Sequence, residues 1–171
     1  MSENPKVTGF SPGAGIPGVS TPFSGEDAAD RLIDGREIEF DEAYGKGVLL
    51  LADGGRYEGT LFGASVVAEG ELVFTTGMTG FQESITDPSF AGQVLTFTWP
   101  LLGNYGVIPG ISESSKVWPR GVVCKQAIEI PDHRDAVGSL HDLLHSHGVP
   151  GIQGVDTRSI TRRVREYGTL L

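Results

Sequence analysis

Two apolar segments of strand length, separated by a short polar connection, constrain the fold of this chain more than any other feature. Residues 71–76 (ELVFTT) alternate polar and apolar side chains, and residues 93–99 (QVLTFTW) form a second apolar segment. Alternation with a period of two is typical of a half-buried strand. Binding residues commonly lie on short connections that a rigid scaffold positions. The sequence therefore predicts two core strands, with residues 77–92 as a candidate binding segment.

A short helix is predicted inside this connection. Thr79 stands three residues before Gln82, which is the spacing of a capping box, so the helix is expected to begin at Gly80. Asp87 and Pro88 end the helix, because the residue before a proline is pushed out of the α region. The predicted helix is therefore no more than two turns long.

The two faces of this helix and the residue beyond it differ in character. Phe81 and Ile85 lie four residues apart and would share one face, whereas Gln82 and Glu83 would point away from it. Ser89 follows the proline on the outer edge of the turn, with a hydroxyl that can donate and accept hydrogen bonds. The residue pattern alone favours Ser89 as a turn residue that bonds its own backbone over Ser89 as a binding residue.

The remainder of the chain predicts an α+β fold. Residues 1–45 are rich in Gly, Pro and Ser and have no periodicity, which indicates a flexible leader. Residues 46–171 form the ordered domain, in which apolar runs predict about six or seven strands. Two helices follow near the end, the first capped by Asp135 and the second by Asp156. Strands first and helices last are typical of an α+β domain with a β-rich body.

The composition excludes several classes of protein. The formal net charge is −9, which argues against nucleic acid and against an anionic membrane surface as partners. One cysteine excludes an internal disulfide, and a reducing cytoplasm is the natural inference. No segment has the length of a transmembrane helix. Glycine, with 25 residues, is about twice its usual share and favours tight turns between short strands.

Cysteine and histidine chemistry has two interpretations. Cys124 would be a nucleophile if His133, His141, His145 or His147 served as its base. The sequence favours a small buried hydrophobe, because Cys124 follows Gly-Val-Val in a predicted strand. The histidines are expected on or near the exposed side of a helix. His141 and His145 have a spacing that suits a metal, but no third ligand is evident, so a solvated face is favoured.

Arginines concentrate near the end of the chain. Four of them, Arg158, Arg162, Arg163 and Arg165, fall within the last predicted helix. Cations near a helix C-terminus interact favourably with the helix dipole, so a solvated surface explains them. Arginine is also favoured in contacts with carboxylates, so a docking patch for an acidic partner surface explains them equally well.

Residue chemistry alone yields no complete active site. No segment supplies a nucleophile, a general base and an oxyanion donor together. The glycines of residues 103–110 match neither a Walker pattern nor a dinucleotide fingerprint. No cofactor or metal is therefore predicted in this chain.

Residues 71–90 (ELVFTTGMTGFQESITDPSF) resemble the signature of the carbamoyl-phosphate synthase small subunit, in its N-terminal domain. The resemblance extends, in the order of the family, through the segments 92–100 (GQVLTFTWP), 103–106 (GNYG), 113–117 (ESSKV), 120–123 (RGVV) and 154–162 (GVDTRSITR). It covers about residues 46–168. Trp99 and Trp118 depart from the residues more usual in the family.

The resemblance implies a fold and a reaction. The fold is the three-layer, swivelling β/β/α type. The small subunit of the family releases ammonia from L-glutamine, and a large subunit uses it with bicarbonate, ATP and Mg²⁺ to make carbamoyl phosphate. The family's Cys-His-Glu site lies in a C-terminal glutamine amidotransferase domain that residues 46–171 do not resemble. The resemblance therefore implies a chain that is inactive alone.

One site residue carries over from the family. The serine of the Thr-Asp-Pro-Ser motif contributes to glutamine binding, and it is Ser89 here, which reverses the preference from pattern alone. Docking on the large subunit is implied, with Arg158, Arg162 and Arg163 as candidates. The family further implies a cytoplasmic heterodimer that serves arginine and pyrimidine biosynthesis. The alternative is a free-standing, non-catalytic binding module for a synthetase large subunit.

Overall fold

The computed structural model describes residues 6–12 and 45–166, with side chains described for 45–166. The described strands are β1 (Lys6–Pro12), β2 (Lys46–Leu51), β3 (Arg56–Gly63), β4 (Gly70–Thr75), β5 (Gln93–Phe97), β6 (Leu101–Leu102), β7 (Gly121–Val123), β8 (Gln126–Ala127) and β9 (Pro150–Gln153). The described helices are α1 (Phe81–Thr86), α2 (Leu140–Ser146) and α3 (Thr157–Glu166), and a 3-10 turn spans Pro88–Phe90.

The strands close into a barrel in the order β1-β2-β3-β9-β7-β5-β4, and β4 pairs with β1. Neighbours from β4 through β1 and β2 to β3 and β9 are antiparallel, whereas β9, β7, β5 and β4 are mutually parallel. Parallel neighbours cannot be joined by a hairpin, so the chain needs crossover connections there. The connection from β4 to β5 contains α1 and the 3-10 turn. A separate small sheet pairs β6 with β8.

Two clusters of buried side chains form the core. Adjacent residues of one strand enter different clusters: Val94 packs with one cluster and Leu95 with the other. This follows from the alternation of side chains along a strand. The first cluster joins strands β2, β3, β4, β5, β7 and β9 with Ile160 and Val164 of α3. The second packs the other side of the sheet against α1 and α2, through residues such as Ile85 and Leu140.

The α+β class is confirmed, and the helix ends were predicted with mixed success. Asp156 caps α3 as predicted, accepting a 3.0 Å hydrogen bond from the Ser159 N–H. The prediction that Asp135 caps the preceding helix is wrong. α2 begins after Ser139, whose side chain accepts from the Asp142 N–H while the Asp142 carboxylate accepts from the Ser139 N–H. This reciprocal pair is a capping box that satisfies two otherwise unpaired donors.

The leader contains a strand. Residues 6–12 lie in the segment predicted to be flexible, but they form β1 and pair with β2 and β4. For these seven residues the structure differs from the prediction. The rest of the predicted leader up to residue 44, like residues 167–171 of the predicted domain, lies outside the described residues.

Candidate functional site

Ser89 lies in the middle of the 3-10 turn, between the end of α1 and the start of β5. The side chain of Asp87 caps this turn and accepts a 2.8 Å hydrogen bond from the Ser89 N–H. Pro88 occupies the first position of the turn, where its fixed φ fits and its missing N–H costs nothing. Ser89 is exposed, which confirms its predicted place on the outer edge of the turn.

The ionised carboxylate of Asp87 stabilises this turn at neutral pH. Hydrogen bonds from Ser89, first from its N–H and then from its side chain, lower the pKa of the Asp87 carboxyl from its usual value. A hydrogen bond donated to a carboxylate favours the ionised form. The stabilising contact is therefore present at neutral pH and is lost as the pH falls through the pKa of Asp87. Residues 87–90 are called the Ser89 turn below.

A second loop contacts the C-terminal end of α1. This loop, residues 107–118, is called the strap below. The Ser114 hydroxyl donates a 2.7 Å hydrogen bond to the Thr86 carbonyl and accepts one of 2.8 Å from the indole Nε1 of Trp118. The Trp118 backbone N–H donates to the Ile85 carbonyl at 3.0 Å. The last carbonyls of α1 are therefore satisfied by the strap, as a helix end requires.

The strap is also bound to the side of α1 by a buried amide. The Nε2 of Gln82 donates to the Ile108 carbonyl at 2.9 Å and to the Ser112 hydroxyl at 2.8 Å, while its Oε1 accepts from the Ile108 N–H at 2.8 Å. Gln82 is 1% exposed. Gln82 is therefore buried although it lies off the face of Phe81 and Ile85, because the strap covers its side of α1 as well.

The N-terminal end of α1 is capped by an aromatic residue. The Tyr105 hydroxyl accepts hydrogen bonds from the Gly80 N–H at 3.0 Å and the Phe81 N–H at 3.1 Å. Gly80 occupies the N-cap position with φ 77° and has no side chain that could cap the helix. The predicted capping box of Thr79 and Gln82 therefore does not form. Burial raises the pKa of Tyr105, so its hydroxyl is neutral at physiological pH.

An apolar cleft of ≈ 180 Å³ lies beyond the C-terminal ends of β4 and β5. Met78, Trp99 and Leu101 line it and are exposed. These residues follow the C-terminal ends of β4 and β5, whereas Ser89 precedes the N-terminal end of β5. Because β4 and β5 are parallel, the cleft and the Ser89 turn lie at opposite edges of the sheet.

The arginines of α3 have different environments. Arg158 and Arg162 are exposed, as is Arg165. Their spacing of four and then three residues places them on one side of the helix. Arg163 is half-buried and forms an ion pair with Asp53, whose side chain is 7% exposed. Of the predicted docking residues, Arg163 thus already has a partner inside the domain. Arg165 lies on the same exposed side as Arg158 and Arg162, with its guanidinium 5.2 Å from the centre of the Phe74 ring.

Comparison with known proteins identifies the family. The model of the carbamoyl-phosphate synthase small chain, CPSase domain, matches residues 49–171. The chain belongs to this family. A carbamoyl phosphate synthase small chain of Symbiobacterium thermophilum is 50% identical over 120 residues, covering 70% of this chain and 33% of the relative. Small chains of Streptococcus agalactiae and Methanosarcina mazei are 48% and 49% identical over 125 residues, each covering 73% of this chain and 35% and 34% of the relatives.

The chain therefore spans about a third of the length of these curated small chains. The Ser89 turn, the strap and α3 all lie within the region that the small chain family model matches. The resemblance of residues 71–90 to the small-subunit signature is confirmed. The family assignment thus applies to the segment that contains the candidate site.

Cys124 of this small chain domain is a core residue. It is 0% exposed and packs in the same cluster as Leu140 and Leu144. Burial raises the pKa of the Cys124 thiol well above its usual value. A thiol that stays protonated at neutral pH is a poor nucleophile. The interpretation of Cys124 as a buried hydrophobe is confirmed.

The histidines of α2 are only partly as predicted. His145 is exposed, but His141 is 3% exposed, and its Nδ1 accepts a 2.9 Å hydrogen bond from the Gly63 N–H. The expectation of an exposed His141 is therefore wrong. Among the described residues no group of three His, Cys, Asp or Glu side chains could hold a metal ion. No helix in the described ranges is long and apolar enough to cross a membrane.

Proposed function

We propose that this chain supplies the N-terminal domain of the small subunit of a glutamine-dependent carbamoyl-phosphate synthase. The family match over residues 49–171 supports this proposal. In it, the domain docks on a large subunit and contributes Ser89 to a glutamine site. The whole complex makes carbamoyl phosphate from glutamine, bicarbonate and ATP. ATP and Mg²⁺ bind to the large subunit, and this domain binds no cofactor of its own.

The exposed Ser89 hydroxyl is the observation that supports the glutamine-binding role. It lies on a turn that proline and a capping carboxylate make rigid, so little conformational freedom is lost when a ligand binds. A serine hydroxyl can donate to or accept from the polar groups of glutamine, including its side-chain amide. The chemical steps belong to groups outside this domain, because the buried thiol of Cys124 is unsuited to attack. The isolated chain should therefore hydrolyse no glutamine.

Replacing Ser89 by alanine tests this role. In a complete small chain containing these residues, assembled with a large subunit, Ser89→Ala should raise KM for glutamine. The loss of one neutral hydrogen bond costs about 0.5–1.5 kcal/mol, or roughly a two- to twelvefold increase. Steady-state glutaminase assays give KM, and kcat should change little. Ser115→Ala is the matched control, because Ser115 is an exposed serine of the strap. An equal KM in the two variants would show that Ser89 does not contribute to glutamine binding.

The docking role of α3 has its own test. Reversing Arg158 and Arg162 to glutamate should weaken the complex with the large subunit by at least about tenfold, because like charges at an interface cost several kcal/mol. Lys125→Glu with Arg134→Glu changes the net charge equally at exposed positions elsewhere. Titration calorimetry measures both dissociation constants. Equal affinities for the two double variants would show that these arginines form a solvated surface and do not contact the large subunit.

Arg163 is left out of this double variant for a structural reason. Its ion pair with the buried side chain of Asp53 makes it part of the domain's own packing. Removing one partner of a buried pair leaves the other charge uncompensated. Any loss of binding in an Arg163 variant would thus be confounded with loss of stability.

A further inference from the structure

We propose that the strap positions Ser89 for glutamine, and that Ser114 is the residue through which it does so. This inference rests on the glutamine-binding role proposed for Ser89. Ser114 does not contact the ligand in this scheme. It acts through the end of α1, so it is a positioning residue.

The first step is the way in which α1 ends. A helix leaves its last four carbonyls without intrahelical partners, and many helices satisfy them with a glycine in the left-handed conformation. α1 has no such residue, because Asp87 is extended with φ −81° and ψ 121°. The Thr86 carbonyl is satisfied by the Ser114 hydroxyl and the Ile85 carbonyl by the Trp118 N–H. The Asp87 N–H donates to the Ser84 carbonyl, and the strap satisfies the last two carbonyls of α1, which no local residue reaches.

The second step is the strength of the link between the strap and Thr86. The Thr86 hydroxyl donates to the Gln82 carbonyl at 2.7 Å and accepts from the Glu113 N–H at 2.9 Å. The neighbouring Ser114 hydroxyl donates to the Thr86 carbonyl, so consecutive strap residues bind both polar groups of one residue. Trp118 fixes the Ser114 hydroxyl in turn, because its indole N–H donates to the oxygen.

The third step is the stiffness of the connection from Thr86 to Ser89. Only Asp87 and Pro88 separate them, and the proline ring fixes φ. The Phe90 N–H donates to the Asp87 carbonyl at 3.2 Å, and the Asp87 carboxylate accepts from the Ser89 N–H at 2.8 Å. A displacement of the helix end is therefore passed to the Ser89 hydroxyl. A displacement of about 1 Å of a hydroxyl that contacts a ligand is enough to weaken that contact substantially.

Residues 112–116 of the strap add no side chain to the two buried clusters, although Val117 packs against one of them, and this separates positioning by Ser114 from general stability. Ser112, Glu113, Ser115 and Lys116 are exposed, and Ser114 is only half-buried. Loss of the Ser114 hydroxyl leaves the apolar clusters unchanged. The main consequence of losing this hydroxyl is greater mobility of the C-terminal end of α1.

Kinetics on the complete small chain, assembled with a large subunit, test the inference. Ser114→Ala should raise KM for glutamine by about two- to tenfold, no more than Ser89→Ala does, with kcat nearly unchanged. The double variant Ser89→Ala with Ser114→Ala should match Ser89→Ala alone, because residues that act through one another are not additive. Ser114→Thr, which keeps the hydroxyl, should restore KM. Ser115→Ala is the control and should leave KM at the unsubstituted value.

The outcomes distinguish this inference from the function on which it rests. An unchanged KM in Ser89→Ala would overturn both. A raised KM in Ser89→Ala with an unchanged KM in Ser114→Ala would overturn the role of the strap alone. Additive effects in the double variant would also overturn it, because they would show that Ser114 acts independently of Ser89.

Amide hydrogen exchange on this chain gives a readout that needs no partner. Ser114→Ala should speed exchange of the Ser89 and Phe90 amides by about threefold or more, since local opening governs exchange there. Amides of the barrel strands β5 and β7 should keep their rates. Equal acceleration everywhere would indicate a general loss of stability, and no acceleration at all would show that Ser114 does not fix the turn; either result overturns the proposal.

Discussion

Replacing Gly63 by alanine is expected to lower the free energy of unfolding by about 2–5 kcal/mol. Gly63 ends β3 with φ +72°, a left-handed conformation that costs alanine about 1–2 kcal/mol. An added Cβ would also lie 2.6 Å from the Val149 carbonyl oxygen and 2.9 Å from the Leu144 Cβ. Backbone and α2 would have to move, and the hydrogen bond from the Gly63 N–H to His141 would be strained. Urea denaturation followed by circular dichroism measures the loss.

Gly54→Ala is the matched control for this prediction. Gly54 also has a positive φ, +84°, but an added Cβ there meets nothing within 4 Å. Its cost should therefore be the conformational strain alone, about 1–2 kcal/mol. The difference between the two variants isolates the close approach of α2 and β9 to β3. Equal destabilisation by both substitutions would contradict that close packing.

The sequence predicted local elements better than the contacts between them. The short helix between β4 and β5 was predicted from Asp87-Pro88 and from apolar spacing, and α1 spans Phe81–Thr86. The burial of Gln82 was not predicted, because a helical period assigns one buried face and α1 has two covered faces. The second covering is the strap, which lies more than twenty residues further along the chain. Local periodicity carries no signal of such a contact.

Competing caps explain a second class of error. Asp135, Thr79 and Ser139 are all residue types that cap helices. Ser139 has Asp142 three residues later, and that spacing was available as a signal for the observed capping box. Tyr105 caps α1 from a position 24 and 25 residues away, and no local pattern indicates it. Closure of the barrel by β1 is equally non-local, since it pairs residues 6–12 with β2 and β4.

The exposed position of Ser89 was predicted, whereas its binding role came from the resemblance and stays a prediction. Ser89 was identified through the family motif, and its exposure follows from the proline turn. The supporting roles of Gln82 and Ser114 were not predicted, because a serine in a polar loop and a glutamine in a short helix are ordinary surface residues by composition. Only their hydrogen bonds across the contact between α1 and the strap, from Gln82 to Ile108 and from Ser114 to Thr86, mark them. The docking role of Arg158, Arg162 and Arg163 stays a prediction, and the ion pair of Arg163 with Asp53 was not foreseen because it depends on tertiary structure.

Replacing Gln82 by methionine is expected to lower the free energy of unfolding by about 2–4 kcal/mol. Methionine keeps the approximate volume but leaves the N–H and carbonyl of Ile108 and the Ser112 hydroxyl without their partner. Unpaired buried groups cost about 1–3 kcal/mol each, partly offset by water that enters at the edge of the strap. Urea denaturation gives the global value. Trp118 lies in the strap, so its fluorescence, measured in a Trp99→Phe background, reports local release.

Gln126→Met, at an exposed position of β8, is the control and should change stability by less than about 0.5 kcal/mol.

Gln82→Glu sharpens the test through its pH dependence. When protonated, the introduced carboxyl can still donate to the Ile108 carbonyl, but its ionised form would oppose that oxygen. Its folded-state pKa should therefore lie above the unfolded value of about 4.3, so the stability of this variant relative to the unsubstituted chain is greatest at low pH and falls as the pH rises through the folded-state pKa. A pH-independent difference from the unsubstituted chain would contradict the buried contact between α1 and the strap, and with it the physical basis for fixing Ser89.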